Sequence, residues 1–316
     1  MDFNKQKGSK NSKQNKVIII ILLVLISLVS TFLSQYFDKG ETLLDLDQVF
    51  SEGGICIHYV DVGQGDCVLI QDGQHNILID TGTNKMSDNV MDFLKNYGVD
   101  YLDMVVLTHP HEDHIGAFVR IGEEYNIGLV LKSQGVASTT VYNNVESFLK
   151  KNKIKNVIPH FGEVFTFGQM VFTIVSDSSI SYDNLNDTSI VIKLDHLGNS
   201  FLFTGDAESK AERNILDSNV DIECDVLQLG HHGSSTSTTA AFLYRASPIY
   251  GVIQCGENNE YGHPHKTIMT RLDVQGVKVF RNDIHGDITC VSNYDGVYFV
   301  TEKGEAKSVY RYQYAN

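Results

Sequence analysis

The chain has 316 residues, of which 42% are hydrophobic and 20% are charged, and this composition excludes an intrinsically disordered protein. Its net charge of −14 at pH 7 excludes nucleic-acid binding that depends on a broadly basic surface. The five cysteines are odd in number and form no C-x-x-C pair, which excludes a disulfide framework and indicates buried thiols.

A basic tail and an uncharged apolar segment open the chain. Residues 1–16 carry five lysines against one aspartate, so the remaining chain has a net charge of −18. Residues 17–34 contain no charged side chain and are long enough for one membrane span. The lysines predict that the N-terminus stays in the cytoplasm and that the rest lies outside the cell membrane. We expect a retained anchor; the alternative is a cleaved signal segment that leaves a secreted protein.

A single globular domain is predicted over residues 54–302, between a polar spacer at 35–53 and a C-terminal tail at 303–316. The domain begins with short apolar runs that predict strands at 56–61, 67–71 and 76–80. Next come a helix at 86–97, which ends at Gly98, and a strand at 104–107.

The rest of the domain alternates strands and helices in the same way. Strands are predicted at 129–131, 164–167, 171–175, 188–194, 200–204, 225–229, 249–254, 277–280, 287–291 and 297–301. Helices are predicted at 142–150, 208–216, 240–246 and 267–272. Two runs of strands with interleaved helices predict an α/β fold, an αββα sandwich of two mixed sheets with outer helices.

The segment after the strand at 104–107 is rich in groups that bind metals. His109, His111, Asp113 and His114 fall within six residues, in the pattern H-x-H-x-D-H. Imidazole and carboxylate groups suit zinc, iron or manganese. In a tight loop, the pair His109/His111 and the pair Asp113/His114 can face two neighbouring ions. We therefore predict two divalent metal ions, zinc or manganese, as cofactors; the alternative is a polar loop with solvated histidines.

Other strand ends carry similar side chains. Asp80 ends the strand at 76–80, and we expect it to orient a metal ligand or a water molecule. Asp206 follows the strand at 200–204 and can bridge two metals; its alternative role is to cap the helix at 208–216. His231 and His232 follow the strand at 225–229. Because adjacent side chains point in different directions, we predict His231 as a metal ligand and His232 behind it.

Two more histidines precede the helix predicted at 267–272. A histidine at the start of a helix can protonate a leaving group or contact a phosphate together with the helix N-terminus. We predict both roles for His263, and substrate contacts for His265 and Ser234. The alternative for the two histidines is a turn with solvated imidazoles.

These motifs resemble the metallo-β-lactamase superfamily and, within it, the hydrolase-like C-terminal domain of ComEC competence proteins. The resemblance covers residues 54–295 and implies a two-metal hydrolase with a phosphodiester substrate. It also implies that Asp113 both binds a metal and orients the attacking water. The segments that carry the resemblance are 60–66, 80–82, 109–114, 186–190, 204–206, 229–234, 261–265 and 283–287.

One position departs from the pattern of the superfamily. Many members supply a third histidine ligand between the histidine loop and the bridging aspartate, but here Asn186 and Asp187 occupy that place. We expect the metal site of His109 and His111 to be poorer in nitrogen, which favours carboxylate or water ligands and tolerates manganese. Asp187 is a candidate ligand for that site.

Three functions stay open from the sequence. The first is a membrane-anchored extracellular phosphodiesterase or nuclease related to DNA uptake proteins, with single-stranded DNA or another phosphodiester as substrate. The second is a hydrolase of a small or cell-envelope phosphoester, an amide or a lactone. The third is a non-catalytic surface-binding domain, against which the intact H-x-H-x-D-H motif, Asp206 and His231 argue. The acidic composition argues against binding long nucleic-acid tracks, and the sequence indicates no particular protein partner.

Overall fold

The computed structural model describes residues 44–303, in which the compact unit begins at Leu46. The first helix, α1 (Leu46–Ser51), lies within the segment predicted as a spacer and buries Val49. No helix within residues 44–303 is both long and apolar enough to cross a membrane. The predicted basic tail, the predicted anchor at 17–34 and residues 304–316 of the predicted C-terminal tail lie outside the described residues.

Strands within the described residues form two mixed sheets. They are β1 (Ile55–Tyr59), β2 (Val68–Gln71), β3 (Asn76–Ile79), β4 (Tyr101–Leu107), β5 (Asn126–Lys132), β6 (Asn156–Val157), β7 (Val164–Phe167), β8 (Met170–Ile174), β9 (Ile192–His196), β10 (Asn199–Phe203), β11 (Val226–Gln228), β12 (Tyr250–Ile253), β13 (Lys278–Arg281), β14 (Ile288–Asn293) and β15 (Gly296–Thr301). The first sheet has the order β15-β14-β1-β2-β3-β4-β5-β6, and the second has the order β13-β12-β11-β10-β9-β8-β7.

Each sheet is antiparallel in one half and parallel in the other. In the first sheet, β3 to β6 are parallel. In the second sheet, β10 to β13 are parallel. Parallel strands end at the same edge of a sheet, which is where α/β folds place their functional groups. Asp80, the histidine loop, Asp206 and the pair His231–His232 follow strands of these two parallel halves.

Helices cover the outer faces of both sheets. After α1 they are α2 (Ser87–Asn96), α3 (Glu112–Ile115), α4 (Phe118–Glu124), α5 (Thr140–Asn152), α6 (Ser209–Asp217), α7 (Ala240–Ala246), α8 (Lys266–Val274) and α9 (Asn282–His285). The longest, α5, begins where the Thr139 side chain accepts a hydrogen bond from the Tyr142 backbone N–H, and it ends at left-handed Lys153. Layers of helix, sheet, sheet and helix confirm the predicted sandwich.

Alternation along the strands divides the core into layers. Ile57 of β1 lies opposite Ile70 of β2, and both belong to the apolar layer between the sheets. Leu69 and Leu78, a pair across β2 and β3, point the other way and pack under the helices on the first sheet. A third cluster packs the helices against the second sheet. The five cysteines are free and buried, as predicted.

The structure differs from the predicted elements mainly around short segments. The strand predicted at 188–194 begins later, as β9, because Asn186–Thr188 forms a turn of 3-10 helix. Five short elements were not predicted, namely α1, α3, α4, β6 and α9. These elements have few residues over which an apolar periodicity can show.

Candidate metal centre

Loops from both sheets meet at the ends of the parallel strands. Residues 109–114 follow β4 of the first sheet, whereas Asp206 and His232 follow β10 and β11 of the second. The His232 Nε2 atom lies 3.2 Å from Asp113 Oδ2, and the His114 Nε2 atom lies 3.3 Å from Asp206 Oδ1. Side chains that are far apart in sequence therefore converge at the junction between the two sheets.

One group of potential ligand atoms comes from Asp113, His114, Asp206 and His232. The Nε2 atoms of both histidines face Asp206 Oδ1, at 3.3 Å for His114 and 3.7 Å for His232. The same two nitrogen atoms face Asp113 Oδ2, at 4.0 Å and 3.2 Å respectively. Both imidazoles are buried, which makes this a shielded site for a cation.

A second group lies on the other side of Asp206. The His109 Nε2 atom is 3.0 Å from His111 Nδ1 and 3.6 Å from Asp206 Oδ2. The two carboxylate oxygens of Asp206 thus face different groups of ligands. This geometry brings His109 and His111 together, as the spacing of the motif predicts, and it gives Asp206 the position of a bridge.

The two groups fit divalent metal ions. Ligand atoms about 2.0–2.1 Å from a tetrahedral zinc ion lie roughly 3.3 Å from one another, and the distances above run from 3.0 to 4.0 Å. His114 Nε2 and Asp206 Oδ1 are buried without a hydrogen-bond partner among the described residues. Leaving such atoms unpaired costs about 1–3 kcal/mol each. An ion between them would satisfy both, which is the physical reason for assigning a metal here.

Hydrogen bonds to the Nδ1 atoms of His114 and His109 orient the Nε2 atoms of these residues toward the two groups of ligands. Asp80 Oδ2 accepts from His114 Nδ1 at 2.7 Å and from the Thr108 hydroxyl at 2.6 Å. The Thr108 hydroxyl in turn lies 3.3 Å from His109 Nδ1. Partners of this kind fix the tautomer and the ring orientation of a metal-binding histidine. Asp80 therefore lies where the sequence analysis expected a residue that orients a ligand.

Asp66 also contacts the histidines, although no role was predicted for it from the sequence. Its Oδ1 atom is 3.2 Å from His232 Nδ1, and its Oδ2 atom accepts a hydrogen bond from Gln228 at 2.9 Å. A Cβ atom on the preceding Gly65 would lie 2.4 Å from the carbonyl oxygen of Asp113, so only glycine allows this turn to approach the metal-binding loop. The signal was present in the sequence, because residues 60–66 belong to the segments that carried the resemblance.

His231 and His232 face different groups of ligands, whereas only His231 was predicted as a metal ligand from the sequence. Both have left-handed backbone angles, with φ of 53° and 54°, and their side chains diverge. His232 joins the group around Asp113, and its Nδ1 atom donates to the Gln254 carbonyl at 2.9 Å. The His231 side chain is 24% exposed, and its Nε2 atom lies 3.6 Å from the other oxygen of Asp206. The geometry favours His232 as a ligand rather than as a residue behind one.

Asp187 lies away from both groups of ligands. Its Oδ1 atom accepts hydrogen bonds from the backbone N–H groups of Glu208 and Ala211, both at 3.1 Å, at the start of α6. The helix cap that was considered for Asp206 is therefore provided by Asp187, which leaves the carboxylate of Asp206 free to face the metal site. In this geometry Asp187 supports a helix and does not fill the place of the third histidine.

Of the predicted substrate-binding residues, His263 lies beside the metal site. Its ring centroid is 5.6 Å from that of His231, and Gln64 Nε2 lies 3.3 Å from its Nδ1 atom. His265 accepts from the Ser235 N–H at 2.9 Å, and its other nitrogen lies 3.2 Å from the Tyr261 carbonyl oxygen. Ser234 Oγ is 3.0 Å from Thr236 Oγ1. His265 and Ser234 thus already have partners within the protein.

The electrostatics of the site divide its histidines into two kinds. Burial lowers the pKa of His109 well below its usual range, and burial with the nearby His232 lowers the pKa of His263 to about 4. Burial would also lower the pKa of His114 and of His232, but Asp206 and other carboxylates raise both pKa values well above the usual range. Without metal, His114 and His232 therefore hold protons at neutral pH.

Metal binding should release these protons. Because the folded pKa values of His114 and His232 are raised, their contribution to stability is full below the unfolded pKa and is lost as pH rises through the folded values. A metal must displace the same protons, so its apparent affinity should increase by up to about tenfold per pH unit for each proton released. Calorimetry of zinc or manganese binding at pH 7, in buffers with different ionisation enthalpies, counts the protons. Asp80→Asn should reduce the count, and an affinity that stays constant between pH 6 and 8 would contradict this assignment.

Comparisons with known proteins agree with this geometry. Residues 60–257 match the metallo-β-lactamase superfamily. The chain is 27% identical over 281 residues to ComE operon protein 3 of Bacillus subtilis, covering 77% of this chain and 36% of that protein. It is 30% identical over 229 residues to competence protein ComA of Neisseria gonorrhoeae, covering 72% of this chain and 30% of that protein. The chain thus spans about a third of the length of these relatives.

A solved structure supports the fold alone. CmlA, a diiron β-hydroxylase from Streptomyces venezuelae, superimposes with a TM-score of 0.50 at 14% identity, over 74% of this chain and 53% of that chain. The family match and the two competence proteins confirm the resemblance that the sequence motifs indicated.

Proposed function

Because this chain belongs to the metallo-β-lactamase superfamily, we propose that it is a hydrolase that uses two divalent metal ions to cleave a phosphodiester. The observation that carries the proposal is the position of Asp206, whose two oxygens face two separate groups of buried or half-buried ligands. A bridging carboxylate between two ions is typical of sites that activate water for hydrolysis.

The ligands divide between the ions as the geometry groups them. His109, His111 and Asp206 would hold one zinc or manganese ion. His114, His232, Asp206 and Asp113 would hold the other, with the Asp66 carboxylate within reach of the same ion. When bound, such ions supply a lower pKa for the attacking water and positive charge for the substrate oxygens. The Asp113 carboxylate, whose pKa His114 and His232 hold low despite burial, would stay ionised and accept a hydrogen bond from that water.

A phosphodiester substrate is supported by two considerations. Two of the similar proteins are named as competence proteins or as products of a competence operon, and the two-metal arrangement suits transfer reactions at phosphorus. His263 is placed to contact a substrate phosphate, because it lies beside the ligands and is not bound to them. Single-stranded DNA is therefore one candidate substrate.

The charge of the chain favours a second candidate. With a net charge of −14, the protein repels long polyanions at a distance. A small or cell-envelope phosphoester would experience less of this repulsion. Both candidates share the same metal chemistry and differ only in the length of substrate that the surface accepts.

A substrate screen tests the proposal directly. The purified full chain would be supplied with zinc or with manganese and assayed against a nitrophenyl phosphodiester, single-stranded DNA and a β-lactam. We expect metal-dependent cleavage of a phosphodiester and none of the β-lactam. Cleavage of the β-lactam alone would contradict the proposed substrate class, and no cleavage with two bound ions would favour a non-catalytic binding domain.

We further propose that the domain is held at the outer face of the cell membrane by residues 17–34. The lysines before this segment and its lack of charge support that orientation. Protease added to intact cells should then remove the domain. Digestion only after cell lysis would show that the orientation is wrong, and recovery of the domain in the medium would favour the cleaved, secreted form.

A further inference from the structure

The position at which many superfamily members have a third histidine ligand is connected to His231 by polar contacts of Glu208. In the sequence, Asn186 stands near the position where many superfamily members have that histidine. In the structure, Asn186 Nδ2 donates a hydrogen bond to Glu208 Oε1 at 3.0 Å. The same Glu208 oxygen lies 3.2 Å from His231 Nδ1. A chain of contacts therefore runs from the position without a histidine to another imidazole.

His231 offers its second nitrogen to the metal site. Its Nε2 atom is 3.6 Å from Asp206 Oδ2, and His109 Nε2 is at the same distance from that oxygen. With the Nδ1 proton directed at Glu208 and at the Thr236 hydroxyl, 3.1 Å away, the Nε2 lone pair is left to face Asp206. The imidazole is thus oriented like the other ligands of the site.

Glu208 is itself held by several donors. Asn184 Nδ2 donates to its Oε2 atom at 3.0 Å, and the Thr236 hydroxyl donates to its Oε1 atom at 3.1 Å. A carboxylate fixed in this way fixes its histidine in turn, and it also makes the imidazole a better electron donor. The Glu208 side chain is only 18% exposed, which limits competition from water.

We propose that His231 replaces the missing third histidine as a ligand of the ion beside His109 and His111, and that Glu208 is the residue that positions it. Each histidine of the adjacent pair then serves a different ion, because the left-handed backbone at both positions sends the two imidazoles to opposite sides of Asp206. This inference rests on the proposed two-metal site but not on its substrate.

The test measures metal binding without substrate. The metal-free full chain would be titrated with zinc against a coloured chelator, which yields two binding constants. Glu208→Ala should weaken one of them by about 10–100-fold, the usual effect of losing such a partner, and leave the other unchanged. Glu208→Gln keeps an acceptor oxygen at the same reach and should recover part of the loss, which a general loss of structure would not allow.

Two further variants identify the ion that is affected. In His111→Ala, which should retain only the ion beside Asp113, adding Glu208→Ala should change nothing. Asp66→Asn is the matched control, because its carboxylate contacts His232, and it should weaken the ion that His111→Ala retains. Unchanged constants in Glu208→Ala, or weakening of the retained ion, would overturn the proposal.

A milder variant decides the question if Glu208→Ala does not fold. Asn186→Ala removes one donor to Glu208 and no contact of His231, so it should weaken the same ion to a smaller extent. Equal constants in Asn186→Ala and the unchanged protein would then count against the proposal. Failure to cleave any phosphodiester would contradict the proposed substrate and leave these binding constants as they are.

Discussion

Asp206→Ala should reduce hydrolysis to the background rate and prevent both metal ions from binding tightly. The variant removes the carboxylate that, within residues 44–303, is shared by both groups of ligands, with Oδ2 at 3.6 Å from His109 Nε2 and Oδ1 at 3.3 Å from His114 Nε2. Losing metal-based stabilisation of several kcal/mol in the transition state corresponds to a fall in rate of about a thousandfold or more. Metal analysis and turnover of the same preparation test both parts.

The fold should survive this change. Asp206 Oδ1 has no hydrogen-bond partner among the described residues, and the hydrogen bond that the Asp206 backbone N–H donates to Ser189 Oγ does not depend on the side chain. His114 and His232 lose the carboxylate that raises their pKa values most, but Asp80 remains paired with His114 and Asp66 remains beside His232. Circular dichroism should therefore be unchanged. Asp217→Ala, which removes an exposed carboxylate at the end of α6, is the matched control and should keep full activity and both ions.

His111→Ala affects only the group of ligands that His109, His111 and Asp206 form. It removes a ligand atom that lies 3.0 Å from His109 Nε2, and we expect it to abolish hydrolysis while one ion remains bound. Full activity in His111→Ala or Asp206→Ala, with unchanged metal content, would show that the site has been assigned wrongly.

His263→Ala should retain both metals and slow turnover by about a hundredfold, the range expected for a positioned proton donor or acceptor. The residue lies beside the ligand histidines, 6.2 Å between ring centroids from His232, and its Nδ1 atom is paired with Gln64. Burial and the neighbouring His232 lower its pKa to about 4. At neutral pH it is therefore neutral, with Gln64 donating to Nδ1 and the proton of the ring on Nε2.

Assays with different leaving groups and at different pH values distinguish assistance to the leaving oxygen from a contact with the phosphate. If its neutral Nε2–H donates a hydrogen bond to the leaving oxygen, the defect should shrink on a nitrophenyl ester, whose leaving group needs less stabilisation of its charge. Since the pKa is about 4, its contribution should be constant from pH 6 to 8. Equal losses on good and poor leaving groups would leave only a contact with the phosphate, and loss of metal would make His263 a ligand. Gln64→Ala should reproduce part of the defect.

The sequence predicted what depends on local pattern. Short apolar runs bounded by turns, such as those of β1 and β2, mark strands whose side chains are buried on both faces of a sheet. The histidine loop was predicted for a similar reason, since its metal-binding groups are crowded into six residues directly after an apolar strand. The pairing of His109 with His111, and of Asp113 with His114, follows from their spacing on one loop.

What depends on the path of the backbone or on distant residues was not predicted. His231 and His232 point to different groups of ligands because both have left-handed backbone angles. Their residue types did not indicate this conformation, because neither is a glycine. Asp187 was predicted as a candidate ligand, but its carboxylate accepts a hydrogen bond from the backbone at the start of α6. Asp66 and Glu208 act through contacts with residues more than twenty positions away, which one sequence does not display.

Because the metal site lies at the junction between the two sheets, a bound ion would also affect the stability of the fold. Asp113 and His114 follow β4 of the first sheet and His232 follows β11 of the second, so an ion held among them would be a cross-link between the two layers. Elsewhere, apolar side chains hold the layers together. An ion at a free concentration of 100 times its dissociation constant would add about 2.7 kcal/mol to the free energy of unfolding. The concentration of free metal would therefore affect the stability of the folded domain as well as its activity.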